Sequence, residues 1–365
     1  MPHVVIAMSG GVDSSVAAHL LKQQGHDVAG LFMQLDVARG SSDTSRRAFF
    51  SAADAADARR VADQLGIPLC VINLRDEFER IISYFCDEYN RGRTPNPCIV
   101  CNRDLKFSKL FEYADKVGAD YVATGHYARI VEEEGEYILK RGVDKDKDQS
   151  YFLFNLRKED LPRIIFPLGE LKKAEVRATA RTLNLHVKDK LESQDICFVP
   201  DGDYRTLLGE RAPDKIAGGL IKDRDGNILG EHDGYQFYTI GQRRGLKVAD
   251  GSPLYVHGID PETREVIVGT NRDLYRRSFY AEEVNRLAEP EYDDEGRCRC
   301  KATIRYSQPP RAAWISDEGE RVLVTFKYPV RAVTPGQAVV FYREGTVLGG
   351  GWISSDFPKE DAGEQ

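Results

Sequence analysis

Two groups of residues in the first third of the chain have the types and spacing to do chemistry. The first is the segment Met8–Ser15, MSGGVDSS, which follows an apolar, strand-like run and opens a helix-like one. Gly10 and Gly11 let the backbone come close to an anion, and the amides at a helix N-terminus supply hydrogen-bond donors. The segment therefore predicts a phosphate-binding loop.

This loop differs from the common ATPase loop. The chain has no GxxxxGK[ST] pattern, and Asp13 stands where that loop carries its lysine. The pattern SGGxDS resembles the signature of the PP-loop ATP pyrophosphatases, which split ATP between its α and β phosphates and adenylylate a substrate. The resemblance implies that the loop binds ATP and that Asp13 holds a magnesium ion. The resemblance predicts that a substrate is activated by adenylylation, but it does not indicate which substrate.

The second group is the pair Cys98 and Cys101 in the sequence TPNPCIVCNRDLKF. Two prolines just before the pair predict an extended loop, and a helix is expected to open only near Asp104. The basic side chains that favour the thiolate form of the pair are Arg93, Arg103 and Lys106. From spacing alone, the pair is a zinc half-site, a redox pair, half of a cluster site or a chance occurrence.

The other five cysteines divide into structural candidates and one chemical candidate. Cys298 and Cys300 form a CxC pattern in a strand-like run, and no His pair has ligand spacing, so we interpret them as structural. Cys70 and Cys86 fall within apolar patterns and are predicted to be core thiols. Cys197 precedes an expected domain boundary, where sites often form, and could meet the CxxC pair.

The elements that must position these residues alternate along the first two hundred residues. Short apolar runs, typical of buried strands, are separated by segments with helical periodicity. The expected strands and helices, in chain order, are His3–Met8, Val12–Gln24, Val28–Gln34, Ala52–Leu65, Leu69–Asn73, Phe78–Tyr89, Leu105–Lys116 and Tyr121–Thr124. This alternation predicts an α/β fold with an open parallel sheet whose first strand is near the N-terminus.

After about residue 200, the hydrophobic pattern of the sequence becomes typical of β-strands. The stretch 218–230 contains an Asp-Gly turn between two apolar runs, and 254–269 reads as strand, turn and strand. Strand-like runs in 300–352, separated by proline and glycine, predict a C-terminal β-barrel. The expected domains are a PP-loop catalytic domain over 1–204, a β-rich central domain over 205–277, the β-barrel over 278–355 and a flexible tail over 356–365.

Composition excludes several classes of protein. Hydrophobic residues make up 41% and charged residues 30% of the 365 residues, which is typical of a globular protein. No apolar run reaches the roughly 20 residues of a membrane span, and no signal-peptide pattern is present, so we expect a cytoplasmic protein without a membrane partner. Seven cysteines are an odd number, which argues against a disulfide framework.

Charge is unevenly distributed along the chain. The net charge of −7 argues against nucleic acid held by overall electrostatics. Residues 157–190, however, contain nine Lys and Arg against five acids, a local charge of +4. Such a segment either follows the phosphates of a nucleic acid or forms a solvated helix face, and charge alone leaves both open. The polar segment 39–51 gives no functional prediction.

Eight short motifs together resemble one family over essentially the whole chain. In chain order they are SGGVDSS, TPNPCIVCN, ATGHYARI, KDQSYFLF, SQDICFV, TIGQRRGL, RYSQ and TPGQAVVFY. The set is similar to that of the tRNA-specific 2-thiouridylases of the MnmA/TrmU type. A match of all eight in order is far more specific than a match of any one.

The resemblance implies a two-stage reaction on tRNA. Family members use ATP to adenylylate the C2 oxygen of the wobble uridine, position 34, in tRNAs for Lys, Glu and Gln. Sulfur then replaces the activated oxygen to give 2-thiouridine, and AMP and pyrophosphate are released. The order is chemically sensible because AMP is a good leaving group and a carbonyl oxygen is a poor one.

The resemblance also implies roles for individual residues. The nucleophile falls on Cys101 and the persulfide carrier on Cys197, which would receive sulfur from a cysteine desulfurase or a sulfur-relay protein; the pair would end each turnover as a disulfide. The residues assigned to ATP are Ala7, Met8, Ser9, Gly10, Gly11, Val12, Asp13, Ser14, Met33 and Gly125. Those assigned to the target base and the tRNA are Asn96, Pro97, Cys98, His126, Lys147, Asp148, Gln149, Arg305, Tyr306 and Gln337.

Several of these positions also have structural interpretations. His126 follows an expected parallel strand, at the end where sheet ligands bind, and we favour a functional role. Gln337 lies in a Pro-Gly turn and could serve the turn alone. Arg305 and Tyr306 are expected on a strand, where they would suit phosphate contact and stacking but equally an exposed sheet face.

Cys98 leaves two routes of sulfur transfer open. Some relatives carry Asp here and many carry Cys, and with Cys the three thiols at 98, 101 and 197 could bind a [4Fe–4S] cluster whose fourth iron is open to sulfide. The sulfur donor is then either hydrosulfide or a persulfide on Cys197. Two other classes are weaker: a lysidine synthase or amidoligase needs no thiols, and a non-catalytic RNA-binding protein needs no intact phosphate loop.

Overall fold

The computed structural model describes residues 1–35, 51–191, 196–199, 202–246, 248 and 252–358. The polar segment 39–51, apart from Ser51, lies outside the described residues, as do residues 192–195 and the end of the tail. The chain divides into two compact units. The first contains Met1–Ile82, Pro97–Gly202 and Glu344–Val347, and the second contains Ser83–Asn96, Asp203–Arg343 and Leu348–Gln365.

The described residues form the following regular elements. The strands are β1 (His3–Ala7), β2 (Asp27–Gln34), β3 (Leu69–Asn73), β4 (Tyr121–Ala123), β5 (Ala128–Glu133), β6 (Glu136–Arg141), β7 (Ile164–Ile165), β8 (Gly219–Lys222), β9 (Ile228–His232), β10 (Tyr255–Asp260), β11 (Glu265–Gly269), β12 (Tyr275–Arg286), β13 (Arg297–Thr303), β14 (Arg311–Glu318), β15 (Arg321–Arg331), β16 (Ala338–Arg343) and β17 (Thr346–Ile353). The α-helices are α1 (Val12–Gln23), α2 (Ala52–Leu65), α3 (Arg75–Asn90), α4 (Pro97–Val100), α5 (Ser108–Val117), α6 (Lys173–Thr182) and α7 (Tyr204–Arg211). Short 3-10 helices span Ser150–Leu153, Lys158–Arg163, Pro213–Lys215, Tyr235–Phe237 and Arg272–Leu274.

A five-stranded parallel sheet forms the centre of the first unit, with the strand order β3-β2-β1-β4-β7. Three consecutive residues of β1, Val4, Val5 and Ile6, have no exposed surface, so both faces of the sheet are covered. Side chains of α1, α2 and α6 pack together on β1 and β2 in one hydrophobic core. The predicted α/β fold with an open parallel sheet is confirmed.

The segment that carries the CxxC pair is helical, and the predicted extended loop is wrong. Helix α4 begins at Pro97 and is followed directly by a π-helical segment, Cys101–Phe107, and then by α5. Proline is well suited to the first position of a helix, because its fixed φ matches the helix and its missing N–H would have no partner there. The prolines therefore start this helix where we expected them to prevent one.

A β-hairpin that the sequence analysis did not predict follows β4 in the first unit. Strands β5 and β6 pair in antiparallel register across a turn in which Glu134 and Gly135 both have positive φ, 52° and 82°. Two positive φ angles are the mark of a primed two-residue turn, whose twist matches that of the strands. The Glu-Gly pair between apolar runs was the available signal.

The second unit is β-rich, as predicted. Its four-stranded sheet has the order β10-β11-β8-β9, and both predicted strand pairs are antiparallel hairpins within it. Six strands form a closed barrel in the order β12-β15-β14-β13-β16-β17, which β12 closes by pairing with β17. Cys298 and Cys300 are both buried in the barrel core, as expected of structural residues.

Among the described residues, no helix is both long enough and apolar enough to cross a membrane.

Candidate active site

The sheet topology predicts where a ligand binds. The chain passes from β1 outward through β2 to β3, and then returns to place β4 on the other side of β1. In open α/β sheets, ligands bind beyond the carboxyl ends of the strands at such a reversal. The phosphate loop follows β1, and Gly125 and His126 follow β4, so both segments lie at this point.

The phosphate loop has the backbone geometry expected of an anion site. Gly10 has φ +70°, and a Cβ there would lie 2.3 Å from the carbonyl oxygen of Asp54, so only glycine fits. Gly11 is the N-cap of α1, and no side chain caps the helix, which leaves its first amides for a ligand. The Ser14 hydroxyl accepts from the Ser9 amide at 3.1 Å, and the Ser15 hydroxyl donates to the Gly11 carbonyl at 2.7 Å.

Asp13, in the first turn of α1, is paired with a lysine that sequence reasoning missed. Lys173 Nζ donates to both carboxylate oxygens of Asp13, at 2.7 and 2.8 Å, and the Tyr127 hydroxyl donates to Oδ1 at 2.9 Å. A carboxylate offers about four lone-pair positions. Since magnesium is commonly held by one or two carboxylates together with phosphates, Asp13 fits as a single protein ligand to an ion carried by ATP.

A second lysine, Lys190, contacts the backbone of the phosphate loop. Lys190 Nζ donates to the Gly10 carbonyl at 2.9 Å and forms ion pairs of 2.7 Å with Asp54 and Asp57. This lysine therefore fastens the phosphate loop to the first turns of α2.

The basic segment 157–190 serves two purposes. Lys173 and Lys190 are directed at the phosphate loop. Other cations of the segment form ion pairs at the surface, which are Arg157 with Asp160, Arg163 with Asp115, and Arg181 with Asp189. The segment therefore does not form one continuous basic surface for the phosphates of a nucleic acid. It is also more than a solvated helix face, because two of its lysines contact the phosphate loop or its acid.

The residues after β4 connect the phosphate loop with the thiols. A Cβ on Gly125 would lie 2.8 Å from the amide nitrogen of Ser14, so this glycine allows close approach to α1. The His126 ring stacks on Phe107, with centroids 6.1 Å apart, and its Nδ1 is 2.7 Å from the Thr124 hydroxyl. Burial and the charge of Lys106 lower the pKa of His126 to about 3, so the ring is neutral at physiological pH.

The three thiols interact with one another within the first unit. Cys98 is in α4, Cys101 is the first residue of the π-helical segment, and Cys197 lies in the short described stretch before the second unit. Burial raises the pKa of all three, and burial together with the Cys101 and Cys98 thiols raises that of Cys197 to about 12. Cys197 therefore lies within electrostatic range of the CxxC pair, and its direct meeting with the pair stays a prediction.

The prediction of a thiolate-favouring environment is wrong. The nearby cation that lowers the pKa of the three cysteines is Lys106, and its effect is smaller than that of burial. Arg103 is ion-paired with Asp104, and Arg93 is ion-paired with Glu88 in the second unit. Nearby basic residues in a sequence do not reveal whether the thiols are withdrawn from water.

The thiols do not form a ligand set for a metal. Across the described ranges, which include all three cysteines, no group of three or more His, Cys, Asp or Glu side chains is placed to hold a metal ion. The arrangement therefore does not fit the cluster alternative, and we derive no step through a cluster.

Lys106 is held in place by Asn102, a buried residue of the same π-helical segment. Its ammonium donates to the Asn102 side-chain oxygen at 3.1 Å, and the Asn102 amide donates to the Phe152 carbonyl at 3.1 Å. Asn102 is buried, so these bonds fix the π-helical segment against the 3-10 helix at Ser150–Leu153. π-helical segments are frequent at functional sites.

The other predicted nucleotide residues lie around the same end of the sheet. Ala7 ends β1, Met8 continues the chain into the loop, and Met33 is the last but one residue of β2. The side chains of Met8, Val12 and Met33 are buried. Their roles toward ATP remain predictions.

Asp148 and Gln149, which we predicted to contact tRNA, hold the local backbone together. Asp148 is buried and accepts from the amides of Gly142 and Ser150 and from Arg141. Gln149 accepts from the Tyr127 amide at 3.0 Å through its side chain. Lys147 is half-buried beside them.

The remaining predicted tRNA residues belong to the second unit, apart from Pro97. Arg305 and Tyr306 lie in the turn after β13, so their expected placement on a strand is wrong. Arg305 donates to the Ala332 carbonyl at 2.8 Å, whereas Tyr306 is 43% exposed. Gln337 donates to the carbonyls of Thr94 and Pro95, both at 3.0 Å, just before Asn96.

One sequence signal could have revealed Lys173. It is the first residue of α6, where a positive charge opposes the helix dipole. A lysine in that position suggests a partner elsewhere, but the partner here is 160 positions away in the chain.

The parallel sheet and the loop that follows its first strand define a PP-loop enzyme that uses ATP. Three family models match the chain. They are described as tRNA methyl transferase HUP domain, over residues 2–201, tRNA methyl transferase PRC-barrel domain, over 205–270, and Aminomethyltransferase beta-barrel domain, over 276–353.

Relatives over nearly the full length identify the family. The tRNA-specific 2-thiouridylase MnmA of Carboxydothermus hydrogenoformans is 50% identical over 355 residues, covering 96% of this chain and 97% of the relative. The protein of the same description from Geobacter metallireducens is 48% identical over 360 residues, covering 96% of each chain. The chain belongs to the tRNA-specific 2-thiouridylase family, and the resemblance seen in its motifs is confirmed.

Two solved structures that resemble the chain each match part of it. NMN synthetase from Francisella tularensis matches with a TM-score of 0.33 and 20% identity, covering 56% of this chain and 71% of that one. A 4-thiouridine synthetase in complex with RNA and bound ATP matches with a TM-score of 0.37 and 18% identity, covering 59% of this chain and 51% of that one.

Proposed function

We propose that the protein is a tRNA 2-thiouridylase. It uses ATP to adenylylate the C2 oxygen of the wobble uridine of tRNA, then replaces that oxygen with sulfur and releases AMP and pyrophosphate. The observation that carries the proposal is geometric: Gly125 packs against the start of α1, and the next residue, His126, stacks on Phe107 in the π-helical segment that begins with Cys101. An enzyme that transfers nitrogen has no use for such a thiol.

The activation step depends on the phosphate loop. The amides at the start of α1 bind phosphate oxygens, and Gly10 and Gly11 allow their close approach. A magnesium ion, when bound with ATP, neutralises phosphate charge, and Asp13 would hold it. The uridine oxygen attacks the α phosphorus, the bond to the bridging oxygen breaks, and pyrophosphate leaves.

The sulfur-transfer step depends on Cys101 and Cys197. Cys197 takes a sulfur atom from the persulfide of a cysteine desulfurase or relay protein, which leaves as a thiol. The terminal sulfur attacks C2 of the adenylylated uridine and AMP leaves. Cys101 attacks the inner sulfur of Cys197, so the sulfur–sulfur bond of the persulfide breaks, a Cys101–Cys197 disulfide forms, and the transferred sulfur remains on the base. A thiol reductant then restores both cysteines.

The persulfide route is better supported than the cluster route. The persulfide route needs two thiols, and Cys101 is near enough to Cys197 to raise its pKa. The cluster needs three thiols placed as ligands, which the described residues do not provide. Cys98, with Asn96 and Pro97, then contacts the target base.

The finer assignments extend the same proposal. The substrates are the tRNAs for Lys, Glu and Gln, which the protein meets in the cytoplasm. The central domain, 205–277, and the barrel bind the tRNA, with His126, Lys147, Arg305, Tyr306 and Gln337 among the contacts. Since tRNA phosphates dominate such binding, affinity should fall with salt.

The test is thiolation of an unmodified glutamate tRNA, read as retardation in a mercury-containing gel, with AMP release measured in parallel. With ATP, magnesium, a cysteine desulfurase and cysteine, we expect a retarded band for the wild type and for Cys70→Ser, a control thiol in β3. Cys101→Ser and Cys197→Ser should release AMP but give no band. AMP release that requires an amine and leaves the tRNA unretarded would refute the proposal.

The sulfur source is tested in the same assay. Under anaerobic conditions with sulfide alone, we expect no band, and Cys98→Ala should still thiolate when the desulfurase is present. Thiolation by sulfide alone that is lost in Cys98→Ala would instead establish the cluster route.

A further inference from the structure

An acid in the phosphate loop creates an electrostatic difficulty. Asp13 lies in the first turn of α1, beside the amides that would receive the triphosphate of ATP. A free carboxylate there would repel the phosphates, because like charges at close range destabilise each other by several kcal/mol in a partly buried site. Before a magnesium ion is bound, another group must therefore neutralise this acid.

Lys173 meets that need before any nucleotide binds. Its ammonium contacts both oxygens of Asp13, and its side chain is 10% exposed whereas that of Asp13 is 32% exposed. A buried ammonium is costly unless it is paired and hydrogen-bonded. The pair therefore holds both charges in a fixed arrangement.

Surrounding groups fix the lysine in this position. The backbone amide of Lys173 donates to the Asp144 carboxylate at 2.8 Å, which anchors the start of α6. Tyr127 donates to Asp13 and also places its ring 5.7 Å from the ammonium, within cation–π range. Because the helix dipole of α6 opposes a cation at its first residue, this placement has a cost that the contact with Asp13 offsets.

We propose that Lys173 is a positioning residue of the adenylylation reaction, which neutralises Asp13 and so keeps the phosphate loop able to accept the triphosphate. It acts through Asp13 and not by contact with the nucleotide. The inference rests on the proposed use of ATP.

The test is equilibrium binding of a non-hydrolysable ATP analogue to the full-length protein, measured by calorimetry without tRNA. In Lys173→Met, Asp13 loses its ion pair with Lys173 and keeps the hydrogen bond from Tyr127, and we expect affinity to fall by about tenfold or more, with Lys173→Arg retaining most of it. Lys172→Met is the matched control, because it removes the same charge from an exposed neighbour and should bind as the wild type does. Thermal melts establish that each variant is folded.

The double variant Asp13→Asn/Lys173→Met separates this role from direct phosphate binding. If Lys173 acts through Asp13, removing the acid removes the need for the lysine, so the double variant should bind the analogue as well as Asp13→Asn does, within about threefold. If the lysine contacts the nucleotide, the two losses should multiply, which would overturn the proposal. Wild-type affinity in Lys173→Met would overturn it as well.

The same measurements distinguish failure of this inference from failure of the proposed function. A wild-type protein that binds no ATP analogue contradicts the proposed function. A wild-type protein that binds the analogue and whose Lys173→Met variant does so equally well contradicts only the role of Lys173. Repeating the titrations with magnesium gives a second readout, since the loss in Lys173→Met should shrink when the ion neutralises Asp13.

Discussion

Burial should make the site thiols slow to react at neutral pH, and alkylation can measure this for each cysteine. Burial, and to a smaller extent the Cys101 and Cys98 thiols, raises the pKa of Cys197 to about 12. An unperturbed thiol has a pKa of about 8.5, so at pH 8 the thiolate fraction of Cys197 is lower by roughly 10³-fold. We expect iodoacetamide to label Cys197 in the folded protein at least about 10³ times more slowly than in urea.

The pH profile separates ionisation from simple exclusion of the reagent. Labelling is followed by mass spectrometry of the Cys197 peptide between pH 7 and 10. Ionisation control predicts a rate that rises about tenfold per pH unit throughout this range, whereas an unperturbed thiol levels off above about pH 9. A plateau near pH 9 in the folded protein, or labelling within tenfold of the unfolded rate, would refute the reasoning.

A charge variant extends the same measurement. Lys106 lowers the pKa of all three thiols, so Lys106→Met should slow their labelling further. Lys109→Met is the control, because the charge of that lysine is already paired with Glu77 and Glu112. The three cysteines of this variant should be labelled at the wild-type rates.

The remaining predictions concern the phosphate loop and His126. Gly10→Ala should lower the free energy of unfolding by at least about 2 kcal/mol, because its Cβ would overlap backbone, whereas Gly25→Ala, with φ +87° and open space, should cost about 1 kcal/mol; urea titrations measure both. Lys190→Met should cost about 1–3 kcal/mol in the same titrations, because two part-buried carboxylates lose their cation. His126 is neutral in the folded protein but protonates near pH 6.5 in the unfolded chain, so the free energy of unfolding should fall as the pH falls from 6.5 toward 3. In His126→Phe this fall in stability should be smaller, and a fall equal to that of the wild type would contradict the lowered pKa of His126.

Much of the first unit could be predicted from the sequence, because its signals are local. Buried parallel strands are continuous apolar runs, and the predicted bounds of α2 and β3 match the observed ones residue for residue. The phosphate loop was equally visible, since paired glycines and serines between a strand and a helix are typical of an anion site. The family motifs then supplied the chemistry.

The errors came from properties that depend on distant parts of the chain. Pro97 suggests a break in a helix when only its neighbours are considered, although the same residue suits a helix start, and the turns that follow decide between the two. The thiolate prediction failed because burial around Cys98 and Cys101 comes from elements that a local pattern does not include. Lys173 was missed for the same reason, since its partner Asp13 is at the other end of the catalytic domain sequence.

The π-helical segment Cys101–Phe107 has a consequence for the evolution of this site. A π-helical turn contains about one more residue than an α-helical turn. Inserting a single residue into an ordinary α-helix therefore produces a segment of this kind. Each residue of an α-helix turns the chain by about 100°. Deleting one residue between Cys101 and Phe107 would therefore rotate Cys101 by about that angle relative to the packed face of α5. The direction of the Cys101 thiol therefore depends on the number of residues in this segment as well as on their identities, so we expect relatives to show few gaps here.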